Sequence, residues 1–342
     1  MSRQALGLDI GRTCARACHV RIDRGGPRIV RYDEIPLPLG TISNGEVVDT
    51  VQLAEALDPL RRRLRGAARN TVLGVGSRNV IVREHTVRKV APKLLQQTLR
   101  FQTEDILPVS VADTVLDYYP NGETRQRGVP MYRGLLVAAM REPLTALVEV
   151  SRNAGFHVTQ VDLDAFALTR AYAKQLNGQP ALIVHIGSDS TNIVAVRDGV
   201  PQFVRIISNG GTDLTRAVQN SAGITEEDAE AFKKITPIRE NADQGDPRED
   251  GLNAAGNSLA VAIVNTIRYY ANSQDSARLD AIYLTGGAAQ QPGLARIIGN
   301  GADLPLYGPG VLDAELAYDG PTELVPATAC LAYGLALKGV GR

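Results

Sequence analysis

The sequence has no tryptophan, only three cysteines and no net charge at neutral pH. Its 37 basic side chains are balanced by 37 acidic ones, so no overall field favours nucleic acid or an anionic membrane. Three cysteines cannot form an even set of disulfides and their spacing does not match a zinc site, which indicates a reducing compartment. No apolar run approaches the roughly 18 residues of a membrane span, and no signal peptide is apparent. We therefore expect a cytoplasmic protein without a transmembrane segment or a nucleic-acid partner.

The composition itself is that of a globular protein. Apolar residues make up 44% of the 342 residues and charged residues 22%, and this length is sufficient for two domains with a core each. One basic cluster stands out, at residues 61–63 with Arg65 and Arg69, after a helical apolar pattern. Cations suit the C-terminal end of a helix because of its dipole. We interpret the cluster as a solvated helix end, with a surface that meets phospholipid or an acidic partner as the alternative.

The first half of the chain is repeated in the second. Residues 5–11 (ALGLDIG) match residues 181–187 (ALIVHIG), and residues 27–31 match residues 201–205. Each copy has the pattern strand, glycine turn, strand, turn, strand, which predicts a meander of antiparallel strands. Because a repeat of this kind decides the architecture, the sequence predicts a duplicated α/β protein with a cleft between its halves.

Helical and strand patterns alternate along the rest of the chain. Asp49 or Thr50 is expected to cap a helix that runs to residue 64, and residues 175–180 are the expected boundary between the halves. Residues 236–251 are expected to form a loop, followed by a helix at 257–274. The segment 251–258 resembles a P-loop, but Asn257 stands where the lysine is needed, so we interpret it as a loop that leads into that helix.

The candidate chemistry lies in the two glycine turns, residues 9–13 and 185–192. Glycine lets several backbone N–H groups point at one anion and lets a phosphate approach closely. Asp9, at the end of a buried strand, is suitably placed to hold a hydrated Mg²⁺. The glycine pairs 210–211 and 286–287 add a helix start and a strand end, where phosphate or ribose can bind. Hydroxyl donors are available at Thr13, Ser188, Ser190 and Thr191. Together these motifs predict a nucleotide-binding cleft.

This set of motifs resembles that of the actin, Hsp70 and sugar-kinase superfamily. Within that superfamily the chain resembles the PilM family of type IV pilus assembly proteins, which is similar to the FtsA family. The resemblance covers essentially the whole chain and is most distinctive at residues 99–108, 208–215, 229–233 and 332–336. It implies an α/β fold of duplicated actin-like (ribonuclease H-like) domains around a nucleotide cleft, with an inserted 1C subdomain that actin lacks.

The resemblance also implies a division of the chain and a ligand. Residues 1–84 and 153–179 would form subdomain 1A, residues 85–152 subdomain 1C, and residues 180–342 the second half, with subdomain 2B at 213–279. The implied ligand is ATP or ADP, with or without Mg²⁺. The residues implied to bind it are Asp9, Gly11, Arg12, Thr13, Gly187, Ser188, Ser190, Thr191, Asn192, Gly210, Gly211, Glu230, Lys233, Gly286 and Gly287.

The implied partner is the N-terminal cytoplasmic tail of a PilN-like inner-membrane protein, bound in a groove between subdomains 1A and 1C. The protein would then be a cytoplasmic scaffold, held peripherally at the inner membrane through that partner. Other pilus assembly proteins and self-association are further expectations of the same resemblance.

Two positions depart from the family pattern. The second glycine turn usually carries aspartate where this chain has His185, as the register with Asp9 shows independently. A neutral imidazole is a poor ligand for Mg²⁺. Arg12 also stands where a small hydroxyl residue is common and adds a cation beside the phosphates. We therefore expect a nucleotide binder that is at most a weak ATPase.

Four alternatives remain open. The scaffold could serve a related secretion system instead of a type IV pilus. The repeat could be a structural duplication whose cleft binds nothing. The chain could be a small-molecule kinase, with Asp162 and Asp164 as candidate general bases, although we expect these two to end a strand and cap a helix. It could also be an FtsA-like polymerising cytoskeletal protein.

Overall fold

The first half of the chain is built on one five-stranded sheet in the computed structural model, which describes residues 3–240, 245–273, 278–309, 318 and 326–341. A small three-stranded sheet is inserted within this half. The elements are β1 (Gln4–Ile10), β2 (Cys14–Asp23), β3 (Gly26–Pro36), β4 (Ile42–Ser43), β5 (Glu46–Val47), α1 (Thr50–Arg63), β6 (Asn70–Val75), β7 (Val80–Arg88), α2 (Pro92–Thr103), β8 (Thr114–Gln126), β9 (Val129–Met140), α3 (Arg141–Asn153), β10 (His157–Leu163) and α4 (Asp164–Leu176).

The second half repeats this plan with a second five-stranded sheet. Its elements are β11 (Ala181–Ile186), β12 (Thr191–Arg197), β13 (Val200–Ile207), α5 (Gly211–Ala222), α6 (Glu226–Ile235), α7 (Pro247–Ala271), β14 (Ala281–Thr285), α8 (Leu294–Ala302), β15 (Leu306–Tyr307) and α9 (Cys330–Val340). All six residues of β11 are buried, because helices cover both faces of the sheet around it.

Both large sheets have the same strand order. The first runs β3-β2-β1-β6-β10 and the second β13-β12-β11-β14-β15. In each sheet the central strand pairs antiparallel with the next strand in the chain and parallel with the strand on its other side. The predicted duplication is therefore confirmed. It places the two glycine turns, which follow β1 and β11, at equivalent ends of the two sheets.

Helices α4 and α9 join the halves. Helix α9 packs against β1, β2 and α4, while α4 also packs against β12 and β13. Residues 330–336 of α9 are all buried, as expected for a helix with protein on every side. A Cβ on Gly334 would collide with the carbonyl oxygen of Ala167, so a glycine allows α4 and α9 to approach closely. One hydrophobic core consequently extends from the first sheet to the second.

Helix α1 shows how the sequence sets the ends of an element. The carboxylate of Asp49 accepts hydrogen bonds from the backbone N–H groups of Val51 and Gln52, so the predicted cap is confirmed. Leu53, Leu57 and Leu60 face the core at helical spacing. The basic residues 61–63 form the last turn, which confirms that this part of the cluster is a helix end.

The subdomain boundaries remain proposals, and the structure suggests how to adjust them. The predicted boundary at 84/85 falls inside β7, all of which pairs with β9 in the three-stranded sheet. Helix α3 packs on α1, not on that sheet alone. We propose that the inserted subdomain comprises residues 80–140, and that α9 belongs structurally to the first half although it ends the second.

The expected loop at 236–251 is wrong in its second part. Helix α7 begins at Pro247, with the carboxylate of Asp246 capping it, and continues through 251–258, while residues 241–244 lie outside the described residues. The two glycines that suggested a loop are there for packing. A Cβ on Gly251 would lie 2.7 Å from the carbonyl oxygen of Ala217 on α5, and one on Gly256 would collide with Ile238. Within the described residues, no helix has the length and apolar character needed to cross a membrane.

Candidate functional site

The two glycine turns face each other across one cavity of about 1080 Å³. Twelve of the fifteen residues proposed to bind nucleotide line it, and so does His185. The three that do not are Thr191, Gly210 and Gly286. Thr191 Oγ1 donates to the carbonyl oxygen of Asn209, and the backbone N–H of Gly210 donates to Asp213 Oδ2. These residues shape the cavity wall instead of facing the cavity.

The turns have matching geometry. The N–H of Gly11 donates to the carbonyl of Cys14 at 3.0 Å, and the N–H of Gly187 donates to the carbonyl of Ser190 at 2.9 Å. The second turn is also held by the start of α5, because the N–H groups of Gly211 and Thr212 donate to its carbonyls at 2.9 and 2.8 Å. The side-chain oxygens of Thr13 and Ser188 lie 3.3 Å apart across the cleft. The turns are thus close enough to contact one polyphosphate together.

Arg12 spans the cleft from the first turn. Its guanidinium donates to Glu226 at 3.0 Å, on α6, and lies 3.8 Å from Asp189 in the second turn. The Arg12 side chain is only 12% exposed, so these charges interact through less water than a surface pair would. A phosphate entering between the turns would compete with both carboxylates for this one cation.

Two residues of the second turn bind the first half of the chain. Ser190 Oγ and Asn192 Nδ2 both donate to the carbonyl oxygen of Gly76 at 3.0 Å. That carbonyl lies in the connection between β6 and β7. These contacts join the two halves at the floor of the cleft, and they were not apparent from the sequence because the residues are more than a hundred positions apart.

At the expected metal position, the carboxylate of Asp9 forms an ion pair with an arginine. Asp9 Oδ2 lies 3.5 Å from Arg16 Nη1. Burial raises the pKa of Asp9, and the Arg16 charge opposes that shift. Burial, and to a lesser extent Arg16, lowers the pKa of His185 to about 3, so its imidazole is neutral at physiological pH. In the described part of the chain, no three His, Cys, Asp or Glu side chains cluster as metal ligands do.

Asp164 is a cleft residue whose surroundings were not apparent from the sequence. It was expected to cap α4, which is wrong, because the cap position is Leu163 and Asp164 is the first helical residue. Its Oδ1 is buried and has no hydrogen-bond partner among the described residues. A Cβ on Gly74 would lie 2.7 Å from that oxygen, and one on Gly76 would collide with the same carboxyl group. The spacing of these two glycines in and after β6 was the available signal, because small residues there make room for a side chain.

The variant Asp164→Asn is expected to be more stable than the wild type above neutral pH. Burial, with Asp9 and Asp162 nearby, raises the pKa of Asp164 well above its ordinary value. The favourable contribution of the protonated group is complete below the pKa of the unfolded chain and is lost as the pH rises through the folded pKa. The neutral amide avoids that loss, worth about 1–2 kcal/mol for an unsatisfied buried group. Thermal unfolding measured from acidic to mildly alkaline pH should show no difference in acid and a higher Tm for the variant above neutrality.

Asp162→Asn provides the matched control. The Asp162 carboxylate is buried and bound by both Lys338, at 2.6 Å, and Arg170, so removal of its charge should lower the Tm. An unchanged or lower Tm for Asp164→Asn above neutral pH would contradict the interpretation of Asp164 as a costly buried acid.

The far side of the cavity has a polar network on α5 and α6. Lys233 Nζ donates to Glu230 Oε2 at 2.5 Å, Thr215 Oγ1 at 2.8 Å and the carbonyl of Gly211 at 3.2 Å. Burial alone would raise the pKa of Glu230, but the hydrogen bonds from Lys233 and Thr215 lower it overall. Gly286 has a φ of +94° and its Cβ would collide with the carbonyl of Ile186, so only glycine fits this turn. Space beside Gly287 is open.

An apolar arm continues the same cavity in the other direction. It lies between the β4–β5 hairpin and the start of β7 on one side and the end of β9 and start of α3 on the other. Asn79 contributes a buried Nδ2 that no other residue described by the structure bonds to. The apolar side chains that line this arm are Leu39, Ile42, Val47, Val80, Ala139, Met140, Pro143, Leu144 and Leu147.

Comparisons with known proteins agree with this architecture. The family model described as type IV pilus assembly protein PilM matches residues 7–307. A solved PilM-PilN type IV pilus biogenesis complex matches with a TM-score of 0.85 and 24% identity over 99% of both chains. Ethanolamine utilization protein EutJ from Carboxydothermus hydrogenoformans has a TM-score of 0.56 and 15% identity over 98% of this chain and 89% of that one. MreB5 of Spiroplasma citri bound to ADP has a TM-score of 0.53 and 13% identity over 98% and 95%.

The structural matches show the fold and the family model shows the family. The two equivalent sheets, the joining helices α4 and α9 and the cleft between the glycine turns form an actin-like fold, as the sequence predicted. The family match covers most of the chain and includes both glycine turns. The chain therefore belongs to the family of type IV pilus assembly protein PilM.

Proposed function

We propose that the protein is a nucleotide-binding scaffold of pilus assembly that holds the tail of a PilN-like inner-membrane protein. The observation that supports this most is the single cavity, in which two equivalent glycine turns adjoin an apolar arm. In this proposal the polar part of the cavity binds ATP or ADP, and the apolar arm binds the tail. Membership of the PilM family supports the role in pilus assembly.

The polar part of the cavity suits a nucleotide by charge and by shape. Arg12, Thr13 and Ser188 would contact the phosphates, since they lie together where the turns meet. Glu230 and Lys233 lie on the opposite wall, beside the open space at Gly287, and would contact the ribose and base. Ser190 and Asn192 would act indirectly, because their donors already hold the carbonyl of Gly76.

The same site is poorly equipped for rapid hydrolysis. Arg16 already pairs with the Asp9 carboxylate, and the neutral His185 adds no charge for Mg²⁺. If Mg²⁺ binds, Asp9 is the residue that would hold it, through waters and phosphate oxygens. Such an ion would neutralise phosphate charge. We propose binding with weak turnover or none.

The apolar arm suits a short extended peptide. Its walls come from both the first-half core and the inserted subdomain, so a tail bound there would occupy the groove between subdomains 1A and 1C. Apolar side chains of the tail would fill the arm, and the unpartnered Asn79 Nδ2 would donate to one of its backbone carbonyls.

Calorimetry of the purified protein tests both parts of the proposal, nucleotide binding and tail binding. ATP and a synthetic peptide of the partner's N-terminal tail are titrated separately and together, and phosphate release is followed with Mg²⁺. We expect both ligands to bind and phosphate release to stay near the background rate. Brisk Mg²⁺-dependent hydrolysis that Asp9→Ala abolishes would contradict the weak-turnover part. If the peptide does not bind with or without ATP, and a sugar or an acid is phosphorylated, the protein is a kinase instead.

A further inference from the structure

The neutral total charge conceals an uneven distribution along the chain. Residues 1–84 contain 14 arginines, no lysine and 9 acidic residues. Residues 180–342 contain 12 basic and 19 acidic residues. The excess positive charge of the first segment is not explained by the cleft, to which only Arg12 and Arg16 contribute.

Many of these arginines lie at one end of the first sheet, as the strand register shows. Strands β1 and β6 are parallel and both begin there, directly after Arg3 and Arg69. The antiparallel β2 ends there, with Arg21 opposite Gln4. Since neighbouring strands lie about 4.8 Å apart, residues opposite one another at this end are close neighbours. The cleft lies at the other end of β1.

We call this surface the basic face and define it by Arg3, Arg21, Arg24, Arg28, Arg65 and Arg69. Arg3, Arg24, Arg65 and Arg69 are exposed and form no ion pair with any other residue that the structure describes. Arg21 and Arg28 both contact the carboxylate of Asp23, at 2.9 and 3.4 Å. Asp23 is the one acidic residue in the segments 3–4, 21–28 and 61–70, and the charges of Arg3, Arg24, Arg65 and Arg69 are not paired with any residue that the structure describes.

The chemistry of the basic face fits an array of phosphates. A guanidinium presents a planar set of donors that matches phosphate oxygens, and it is less strongly hydrated than an ammonium. None of the six arginines lines the cleft cavity, and none of the large exposed apolar side chains of the described residues lies in these segments. A surface that lies outside the cleft cavity, with no large exposed apolar side chain in the described segments, suits many spaced charges better than one enclosed ligand or a peptide. Exposed aromatic side chains for base stacking are also lacking in these segments.

We propose that the basic face docks on the anionic phospholipid headgroups of a bilayer. This contact is separate from the cleft and from the apolar arm, because it uses the opposite end of the sheet. It would add a direct electrostatic attraction to the membrane, strongest at low ionic strength.

Vesicle co-sedimentation of the full chain tests the proposal. Vesicles of phosphatidylglycerol and phosphatidylcholine in equal parts are compared with vesicles of phosphatidylcholine alone. We expect binding to the anionic vesicles only, weakened by added salt. The double variant Arg65→Glu/Arg69→Glu should bind them at least about tenfold more weakly, since each arginine near such a surface contributes roughly fivefold.

The matched control is Arg205→Glu/Arg296→Glu. Both arginines are exposed, lie in the second half and form no ion pair among the described residues, and the change in net charge is the same. This variant should bind within about twofold of the wild type, and ATP titration of both variants checks that the cleft is intact. Equal binding to both vesicle types, unchanged binding of Arg65→Glu/Arg69→Glu, or an equal loss in the control would overturn the proposal. Displacement from vesicles by duplex DNA at a lower phosphate concentration would assign the face to nucleic acid instead.

Discussion

Replacement of Gly210 by valine is expected to weaken ATP binding at least about a hundredfold while the protein remains folded. A Cβ at this position would lie 2.5 Å from the carbonyl oxygen of Gly187 and 2.6 Å from that of Ser188. Both are backbone atoms of the second glycine turn, so a side chain can fit only if the turn moves. The same two carbonyls accept the hydrogen bonds that fix the turn on the start of α5. Loss of two well-placed phosphate contacts, each worth about 1.5 kcal/mol when charge-assisted, corresponds to this change in Kd.

The measurement is a calorimetric titration of the variant with ATP, compared with Gly25→Val. Gly25 lies in the β2–β3 turn and has no positive φ, and a Cβ added there would have no atom of another described residue within 4 Å. Valine at this position should therefore leave the affinity for ATP unchanged. Circular dichroism of both variants checks folding. Wild-type affinity in a folded Gly210→Val protein would mean that the second turn does not position the phosphates.

The features that the sequence predicted correctly depend on residues that are close together in the chain. The repeat at residues 5–11 and 181–187 predicted two equivalent sheets because each copy carries its own strand and turn signals. The Asp49 cap follows from residues next to one another in the chain. Patterns of this kind depend on backbone geometry within a few residues, which any sequence displays directly.

The features that were missed depend on contacts between distant segments. Gly251 and Gly256 looked like loop residues, but they permit close packing of α7, which periodicity alone does not reveal. The reason for glycine at positions 74 and 76 appears only when Asp164 is placed beside them. The hydrogen bonds from Ser190 and Asn192 to the carbonyl of Gly76 could not be predicted, because that partner is remote in sequence.

The contacts at the cleft floor also bear on how the cavity could respond to a ligand. Arg12 joins the first turn to α6, and the second turn is joined to the β6–β7 connection through Gly76. The connection leads directly into β7, whose first residue, Val80, lines the apolar arm. A nucleotide bound between the turns would therefore contact a segment that is joined to an element of the proposed tail groove. Coupling between the two ligands would be measured as a difference in peptide affinity with and without ATP.

Replacement of Leu144 by aspartate is expected to abolish detectable tail binding while ATP binding is kept. Leu144 is half-buried on α3 and lines the apolar arm where the first half meets the inserted subdomain. A carboxylate there would have to lose water when a peptide covers it, without a cation beside it in the arm. Truncation or polar replacement at the centre of an interface costs about 2–4 kcal/mol, which is more than about thirtyfold in affinity. Calorimetric titration with the tail peptide measures the loss, and titration with ATP checks the cleft.

Leu94→Asp is the control for a general effect of the added charge. Leu94 is 46% exposed on α2, in the same inserted subdomain, but it does not line the cavity. Both variants introduce the same charge at a leucine of a helix, so a general effect of charge on the peptide would appear in both. A selective loss in Leu144→Asp would place the tail in the apolar arm. The reverse selectivity would place it on the exposed face of α2 and contradict the proposed groove, because a peptide bound there would not meet Leu144.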